Sequence, residues 1–426
     1  MMKKAYVKRA LILALSCSLW NVSLGSCASL SIDEAVDMAA QRNPEIKIAV
    51  KGEEKSLADL NAAKGANGLS VSATSALTIT DGATKSFSKD NSNGISVTLP
   101  LYTGGENELA IENKNLELLS SQLNSARTRE NIKLSVIKAY YDVLENQKEV
   151  EVDQESVNNY QSHLVNVQQL YSAGSKARVE VLRSEVELSD AKQTLIKAQN
   201  SYDIALSTLK NIIKLDRDEP LTLTDDFVYT TFDKAMADCL DYARNNRKDL
   251  KQAQLTVDES EKKVKIARAG FLPSVDLTGG LDWDNQPLPN DKHYAYSAGV
   301  KATWDLFDNN VTQSNIKSAQ ATLEEAQLTL MKDQDDVDLA VRQAYLNMKE
   351  AEKRFISTHD AVRKAQEDYY IANEKYKAGD GLMLDIIDAQ LALSTAQLNY
   401  ISAQYDYARY KATVENVMGI EDGVKG

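Results

Sequence analysis

Apolar side chains recur every seven residues along two long stretches, 107–172 and 311–377, that contain neither proline nor glycine. A seven-residue period sustained over this length predicts α-helices that pack as a left-handed coiled coil. At 1.5 Å per residue, each helix would be on the order of 100 Å long, too long to fold back into a compact core. The positions that carry the period are Val136, Val143, Val150, Val157, Leu164 and Tyr171 in the first stretch, and Val341, Met348, Phe355, Val362, Tyr369 and Tyr376 in the second.

A glycine turn follows each long stretch, and a shorter helical pattern then returns. The turns are at Gly174 and Gly379, because glycine readily takes the positive φ that such a turn needs. The returning helices are predicted at 178–212 and 383–418, about half as long as their partners. Each half of the chain is therefore predicted to contain a helical hairpin that is tipped by a glycine.

Helices predicted at 33–66 and 233–269 precede the long stretches. They have the length needed to complete the shorter returning helices by stacking on them end to end. Asn43-Pro44 interrupts the first, because the residue before a proline disfavours the α region.

Between the helical segments the apolar period changes to two, which is typical of β-strands. The alternation predicts two β-hairpins, at 69–102 and 273–305, with polar loops at 81–94 and 285–291. The strands are roughly 10–13 residues long, and a tilted strand that spans a membrane needs about 9–11. Aromatic residues that would suit a girdle at the membrane interface are Trp283, Tyr294, Tyr296 and Trp304. Taken alone, the strands favour a small soluble sheet beneath a helical domain.

The second half of the chain repeats the first at an offset of 205 residues. Identical pairs include Leu101/Leu306, Leu118/Leu323, Ala139/Ala344, Tyr140/Tyr345, Leu188/Leu393 and Tyr202/Tyr407. This is a tandem duplication of about 200 residues, far longer than a solenoid repeat. It predicts a pseudo-symmetric body with a first repeat at 29–215, a connector at 216–231, a second repeat at 232–419 and a tail at 420–426.

The net charge of −13 argues against nucleic acid as a partner, because phosphate contacts need clustered lysine and arginine. Residues 1–28 have the pattern of a secretory signal: a basic start, an apolar middle and Ser26-Cys27-Ala28 as a small-residue cleavage site. A rival interpretation makes Cys27 the lipidated residue of a lipoprotein signal. Cys239 would then be the one other cysteine of the mature chain, so no intrachain disulfide is expected.

Four strands cannot close a barrel, and open strand edges are not tolerated in hydrocarbon. Several chains would therefore have to pool their strands. Three copies would give twelve strands and a ring of helices that continues the barrel as a tube, although this argument alone also allows other copy numbers.

The ordered set of motifs resembles the TolC family of outer-membrane efflux proteins over nearly the whole mature chain. The motifs are the duplicated halves, Ile32-Asp-Glu-Ala-Val, Asn43-Pro44, Leu99-Pro-Leu-Tyr102-Thr-Gly-Gly105, and the glycine turns followed by Glu180-Val-Leu182 and Asp385-Ile-Ile-Asp388. The resemblance implies a homotrimer with a twelve-stranded barrel in outer-membrane lipid and a periplasmic α-helical tunnel. It also implies docking to a periplasmic adaptor (membrane fusion protein) and an inner-membrane pump of the RND, ABC or MFS type. The chain would serve as the exit duct for efflux or type I secretion.

The resemblance also assigns candidate site residues. Asp385 and Asp388 match the family's acidic pair at the tunnel tip, and three chains would place two carboxylate rings around the pore, which favour cations. Tyr376 and Glu180 match positions whose contact holds the closed state. The positions that match the adaptor-docking turns are Ala173, Gly174, Ser175, Ala378, Gly379 and Asp380.

One feature departs from the family. Its best-known members carry an arginine between the positions of Gly379 and Asp385, and the interval here, 380–384, has none. A charge-assisted latch at that point is therefore in doubt, and opening would cost less free energy.

Other interpretations of the same residues remain. The acidic pair also fits a solvated helix face or a metal pair, and Tyr171 fits an ordinary coiled-coil core position. An enzyme is disfavoured, because the three histidines form no recognised motif and no cofactor-binding sequence is present. No cofactor or metal is expected. The alternative function is a non-conducting, trimeric coiled-coil surface protein, and the sequence does not identify the exported cargo.

Overall fold

The computed structural model describes residues 28–82, 85–284 and 294–420. Three predicted segments lie outside these residues: positions 1–27, with Cys27, of the leader predicted at 1–28, the whole loop predicted at 285–291, and positions 421–426 of the tail predicted at 420–426. In chain order the elements are β1 Ala28–Leu30, α1 Ile32–Arg42, α2 Pro44–Ala66, β2 Ser70–Gly82, β3 Lys85–Tyr102, α3 Glu106–Ser172, α4 Arg178–Ile213, β4 Leu221–Leu223, α5 Met236–Asn246, α6 Lys248–Ala269, β5 Ser274–Asp284, β6 Tyr294–Thr303, α7 Val311–Lys377 and α8 Met383–Met418.

The predicted fold class is confirmed: the chain is mainly helical, with two long helical hairpins and four long strands. Helices α3 and α7 each run for 67 residues, and α4 and α8 return along them. The heptad positions of α3 form the core, since Val136, Val143, Val157 and Leu164 are all buried. In α7 the same is true of Val341 and Met348.

The short helices stack on the ends of the returning helices, as the sequence predicts. Asn43 caps α2 by accepting the Glu45 N–H at 2.8 Å, and its side-chain amide donates to the carbonyl of Ile212 at 3.2 Å. At the corresponding junction of the second half, Arg247 donates to the carbonyl of Val417 at 3.2 Å. Each contact holds the start of a short helix beside the end of a returning one.

Strands β2, β3, β5 and β6 form one antiparallel sheet in that order. β2 and β6 are its edges, and every residue of β6 is exposed. Trp283 pairs with Tyr294 across β5 and β6, so the two rings lie on one face. Because β6 is open on both faces, the sheet does not fit the interpretation of a small soluble sheet covered by helices.

The polar loop predicted at 81–94 is wrong, because strand β3 already begins at Lys85 and pairs with β2 along this segment. Its polar residues bond across the strands instead of forming a loop: the Ser75 hydroxyl donates to Asn93 at 2.7 Å. The helical segment predicted at 233–269 also begins later than predicted, because Ala235 is still extended and α5 begins at Met236.

A two-stranded parallel sheet, β1 with β4, was not predicted. The fully buried Tyr140 of α3 holds it in place, donating to the carbonyl of Leu30 at 2.8 Å and accepting the Asp225 N–H at 3.2 Å. The connector between the halves is thereby fixed to the first long helix.

The two halves also join through charges. Arg409 of α8 donates to Asp142 of α3 at 2.6 Å and contacts Glu145 one turn further along. Burial raises the pKa of Glu145, although the Arg409 guanidinium acts in the opposite direction. Among the described helices, none combines the length and the apolar character that a bilayer crossing requires.

Candidate gate at the tips of the helical hairpins

Both hairpin tips are built by the same backbone motif. At the end of α3 the Ser175 N–H donates to the carbonyl of Leu170 and the Gly174 N–H to that of Tyr171, each at 2.9 Å. At the end of α7 the equivalent bonds join Asp380 to Lys375 and Gly379 to Tyr376, each at 3.0 Å. These are Schellman motifs, which require a residue with positive φ. The φ angles of Gly174 and Gly379 are +73° and +89°, which explains glycine at both turns.

The turns leave the predicted docking residues accessible. All six of them are exposed, namely Ala173, Gly174, Ser175, Ala378, Gly379 and Asp380. A Cβ atom added at Gly174 or Gly379 would meet nothing within 4 Å. The tips are therefore open surfaces of the single chain.

The structure brings together Tyr376 and Glu180, the two residues assigned to the closed-state contact. Tyr376 is 2% exposed, and its hydroxyl donates to the Glu180 carboxylate at 3.1 Å. Burial raises the pKa of Tyr376 well above its ordinary value, and the charge of Glu180 adds to this effect. Tyr376 belongs to α7 and Glu180 to the first turn of α4, so this bond joins the two hairpins.

Two further residues complete this cluster, and sequence reasoning missed both. The Lys176 ammonium lies 3.6 Å from the Glu180 carboxylate and 4.6 Å from the centre of the Tyr376 ring. The His163 ring packs against Tyr376 with a centroid separation of 5.2 Å. The four residues His163, Lys176, Glu180 and Tyr376 are called the tip cluster below.

The prediction that Tyr171 belongs to the coiled-coil core is wrong, since 45% of its surface is exposed. Its repeat-equivalent Tyr376 is buried, because it packs between the hairpins with Val167 of α3 and Ile386 of α8. The duplicated sequence thus yields two tips with the same backbone and different surroundings.

Asp385 and Asp388 lie on the exposed surface of the first two turns of α8. The residues between them, Ile386 and Ile387, are buried against Val167 and so fix the orientation of the helix. Asp385 has a second role, because its carboxylate accepts the Leu382 N–H at 3.3 Å and caps the helix. In the part of the chain that the structure describes, no group of three or more histidine, cysteine or acidic side chains is arranged to hold a metal ion.

A polar bridge anchors α8 to α3 just beyond the acidic pair. Asn159 donates to the side chain of Gln390 at 3.0 Å, and the hydroxyls of Ser156 and Ser394 are 2.7 Å apart. Polar bonds hold α8 at Gln390 and Ser394, and apolar packing holds it at Ile386 and Ile387. The helix face that carries Asp385 and Asp388 therefore has a defined position.

Gly381 lies in the interval where the family's arginine is missing. A Cβ atom at this position would lie 2.8 Å from the backbone nitrogen of Tyr376 and 3.1 Å from the carbonyl carbon of Lys375. The turn is closed so tightly against the end of α7 that the backbone leaves no room for a side chain. Its repeat-equivalent in the first turn is Lys176, the cation of the tip cluster.

We expect Gly381→Ala to loosen the second turn more than Gly379→Ala does. The first change forces a clash with backbone atoms, costing about 1–3 kcal/mol, whereas the second adds only the strain of a positive φ, about 1–2 kcal/mol. Hydrogen exchange of the amides in 376–388, measured by mass spectrometry, should quicken by about tenfold or more in Gly381→Ala and less in the matched variant. Equal rates in the two variants would contradict the tight closure.

Both the sequence and the fold of this chain are similar to those of known proteins. The family model described as outer membrane efflux protein matches residues 35–213 and 239–420. The outer membrane protein TolC of Vibrio cholerae is 22% identical over 296 residues, which is 66% of each chain. The alkaline protease secretion protein AprF of Pseudomonas aeruginosa is 22% identical over 72% of this chain. These alignments span 66% and 64% of the two relatives, slightly less than two thirds of their length.

Solved structures agree in fold. The outer membrane protein VceC of Vibrio cholerae superimposes with a TM-score of 0.80 at 16% identity, over 91% of this chain and 96% of that one. The CmeC outer membrane channel of Campylobacter jejuni gives 0.81 at 17% identity, over 91% and 85%. With most of both halves matched by the family model, the chain belongs to the outer membrane efflux protein family.

Proposed function

We propose that three copies of this chain form a channel-tunnel in the outer membrane that serves as the exit duct of an efflux or type I secretion system. The observation that carries the proposal is the sheet with two open edges, β2 and β6. This sheet lies at one end of two helical hairpins, whose long helices α3 and α7 each have 67 residues. Unpaired edges in hydrocarbon must find strands of other chains. Three chains supply twelve strands and a tube of helices below them.

The relatives support this role. Those named for secretion or export include AprF and the toxin and drug export protein A of Aggregatibacter actinomycetemcomitans, which is 23% identical over 67% of this chain. Their names cover proteins and small molecules, so the duct is proposed for export in general and not for one cargo. The family is one of channel proteins, and we assign no reaction to the chain.

The purified protein should run as a trimer that dissociates only on heating and should conduct ions in planar lipid bilayers. Both properties follow from a barrel whose strands come from three chains, because separating them exposes unpaired backbone groups to lipid. A trimer that never conducts under any condition would sink the proposal and leave the alternative of a coiled-coil surface protein.

We propose that Asp385 and Asp388 form two carboxylate rings at the narrow end of the tunnel. Both are exposed at the start of α8, and rings of carboxylates favour cations over anions. Their positions are fixed by the buried Ile386 and Ile387 on the same helix.

Asp385→Asn combined with Asp388→Asn should weaken the block of the channel by multivalent cations by about tenfold or more, because both rings lose their charge. Asparagine is the sharper choice than alanine, since it can still accept the Leu382 N–H and keep the helix cap. Bilayer recordings with a trivalent cation on the periplasmic side measure the block. Asp380→Asn, an exposed acid on the turn itself, is the matched control. An unchanged block in the double variant would refute the ring assignment.

We propose that the exposed turns at Ala173–Ser175 and Ala378–Asp380 dock a periplasmic adaptor, which links the duct to an inner-membrane pump. The two tips present the same backbone shape, so one kind of adaptor surface can fit both. The repeated turn thus gives six similar contacts around a trimer.

Ala378→Trp should impair adaptor docking while preserving the turn, because Ala378 has ordinary helical angles of φ −73° and ψ −12° that any residue adopts. Ala378→Ser is the matched control. Export by cells that carry each variant, with trimer level and bilayer conductance measured in parallel, checks the expectation. Wild-type export by the tryptophan variant would count against the docking surface.

A further inference from the structure

The tip cluster contains a buried histidine whose state of protonation the rest of the cluster constrains. His163 lies on α3 and is 7% exposed. Its Nε2 atom is buried and makes no hydrogen bond with any group that the structure describes. Most buried polar atoms in proteins have a partner, so an orphaned ring nitrogen at the contact between the two hairpins requires an explanation.

Each packed element presents its own charged or titratable group to this histidine. Tyr376 comes from α7, Glu180 from α4, and Lys176 from the turn between α3 and α4. The acids at the start of α8 lie elsewhere: Asp388 acts on Tyr160, one turn before His163, and Asp385 is exposed.

Burial disfavours the imidazolium ion and is the main reason that the pKa of His163 is lowered. The Glu180 carboxylate raises this pKa and the Lys176 ammonium lowers it, and together they do not cancel the effect of burial. The Glu180 carboxylate is also shared, because it accepts the Tyr376 hydroxyl and pairs with Lys176.

We propose that His163 is a proton switch for the gate, and that acidification loosens the contact between the two hairpins. The proposal rests on the proposed function, in which the Tyr376–Glu180 contact holds the tunnel closed. Neutral His163 packs its ring against Tyr376 and keeps it in place. A proton on His163 adds a second cation to the tip cluster that holds Lys176, in a buried site where no described group accepts a hydrogen bond from its Nε2–H. Separation of the hairpins relieves this by exposing the imidazolium to water.

The sign of the pH effect follows from the lowered pKa. The packed state binds fewer protons than a state in which His163 is solvated, so protons favour the separated state. The contact is at full strength above the ordinary histidine pKa of about 6.5 and weakens as the pH falls below it. Tyr376 remains protonated throughout, since its pKa is raised.

Planar bilayer recordings of the full trimer between pH 7.5 and pH 5.0 on the periplasmic side test the switch. Acid should raise the open fraction of the wild type by about threefold or more. His163→Gln, which keeps the size and cannot titrate, should respond much less. His359→Gln is the matched control, because His359 is exposed in mid-helix and its loss should leave the response intact.

Lys176→Met separates the two parts of the mechanism. Removal of the cation weakens the hold on Glu180, so the open fraction at pH 7.5 should rise. It also removes one of the groups that lower the pKa of His163, so the change on acidification should shrink. If Lys176 had only a structural role, the variant would raise the open fraction at pH 7.5 and leave the change on acidification as it is in the wild type.

The wild-type protein offers a test that needs no variant. Hydrogen exchange at the imidazole C2 position, followed by mass spectrometry, gives the pKa of each histidine in the trimer. His163 should titrate below the ordinary histidine pKa of about 6.5 and exchange slowly, because it is buried. A channel that conducts but responds to acid equally with and without His163, or a His163 that titrates at or above that ordinary value, would overturn the switch. A trimer that never conducts would instead refute the proposed duct.

Discussion

The constraint on which this molecule depends is the open sheet. Strands β2 and β6 each leave one row of backbone N–H and C=O groups without a partner among the residues that the structure describes. In hydrocarbon each unsatisfied group costs several kcal/mol, so such a sheet is stable there only as part of a closed ring. Closure by copies of the same chain arranges the helical hairpins around a common axis. The long heptad stretches then have to form a wall, since rods of 67 residues cannot fold back over the sheet. In the proposed assembly, the unpaired edges thereby determine both how the chains associate and the hollow space that they enclose.

Much of this fold could be predicted because the decisive signals are local. A seven-residue period needs no knowledge of distant partners, and the glycine turns mark where each helix must end. The predictions that failed concern a pairing between distant segments and a strand whose polar composition is typical of a loop. The start of β3 carries side chains such as Asp90 and Asn93, which suggest a loop by composition, yet they sit in a paired strand because both faces are open to polar partners. The β1–β4 pair joins three-residue segments that are far apart in the chain, and only the buried Tyr140 reveals why they meet.

The candidate site shows how the two copies of a duplication come to differ. Equivalent positions have the same backbone but opposite surroundings, and the sequence alone could not show which copy was buried. Glu180 and Asp385 are equivalents, yet one accepts the Tyr376 hydroxyl and the other faces outwards and caps its helix. Lys176 and Gly381 are equivalents as well: the first turn carries the cation, and the second has no room for any side chain. The second turn lacks the family's arginine, which made a charge-assisted latch doubtful there. The cation of the tip cluster, Lys176, lies at the first turn instead. The signal that could have found Lys176 is its spacing of four residues from Glu180, next to a turn.

The distribution of polar bonds along the rods determines where they can separate. Near the middle, Arg409 ties α8 to Asp142 and to Glu145 of α3. Loss of Arg409 would leave the mostly buried Glu145 carboxylate without its cation, at a cost of up to about 3–5 kcal/mol. At the tip, the bond between Tyr376 and Glu180 is worth about 1.5–3 kcal/mol, because one partner is charged. The ion pair of Lys176 with Glu180 adds about 0–1 kcal/mol, since both side chains reach solvent. If the tip cluster closes the proposed tunnel, we expect its contacts to break before the mid-rod pairs do, so that widening begins at the tips. The mid-rod pairs would then keep the helices in register while the gate opens.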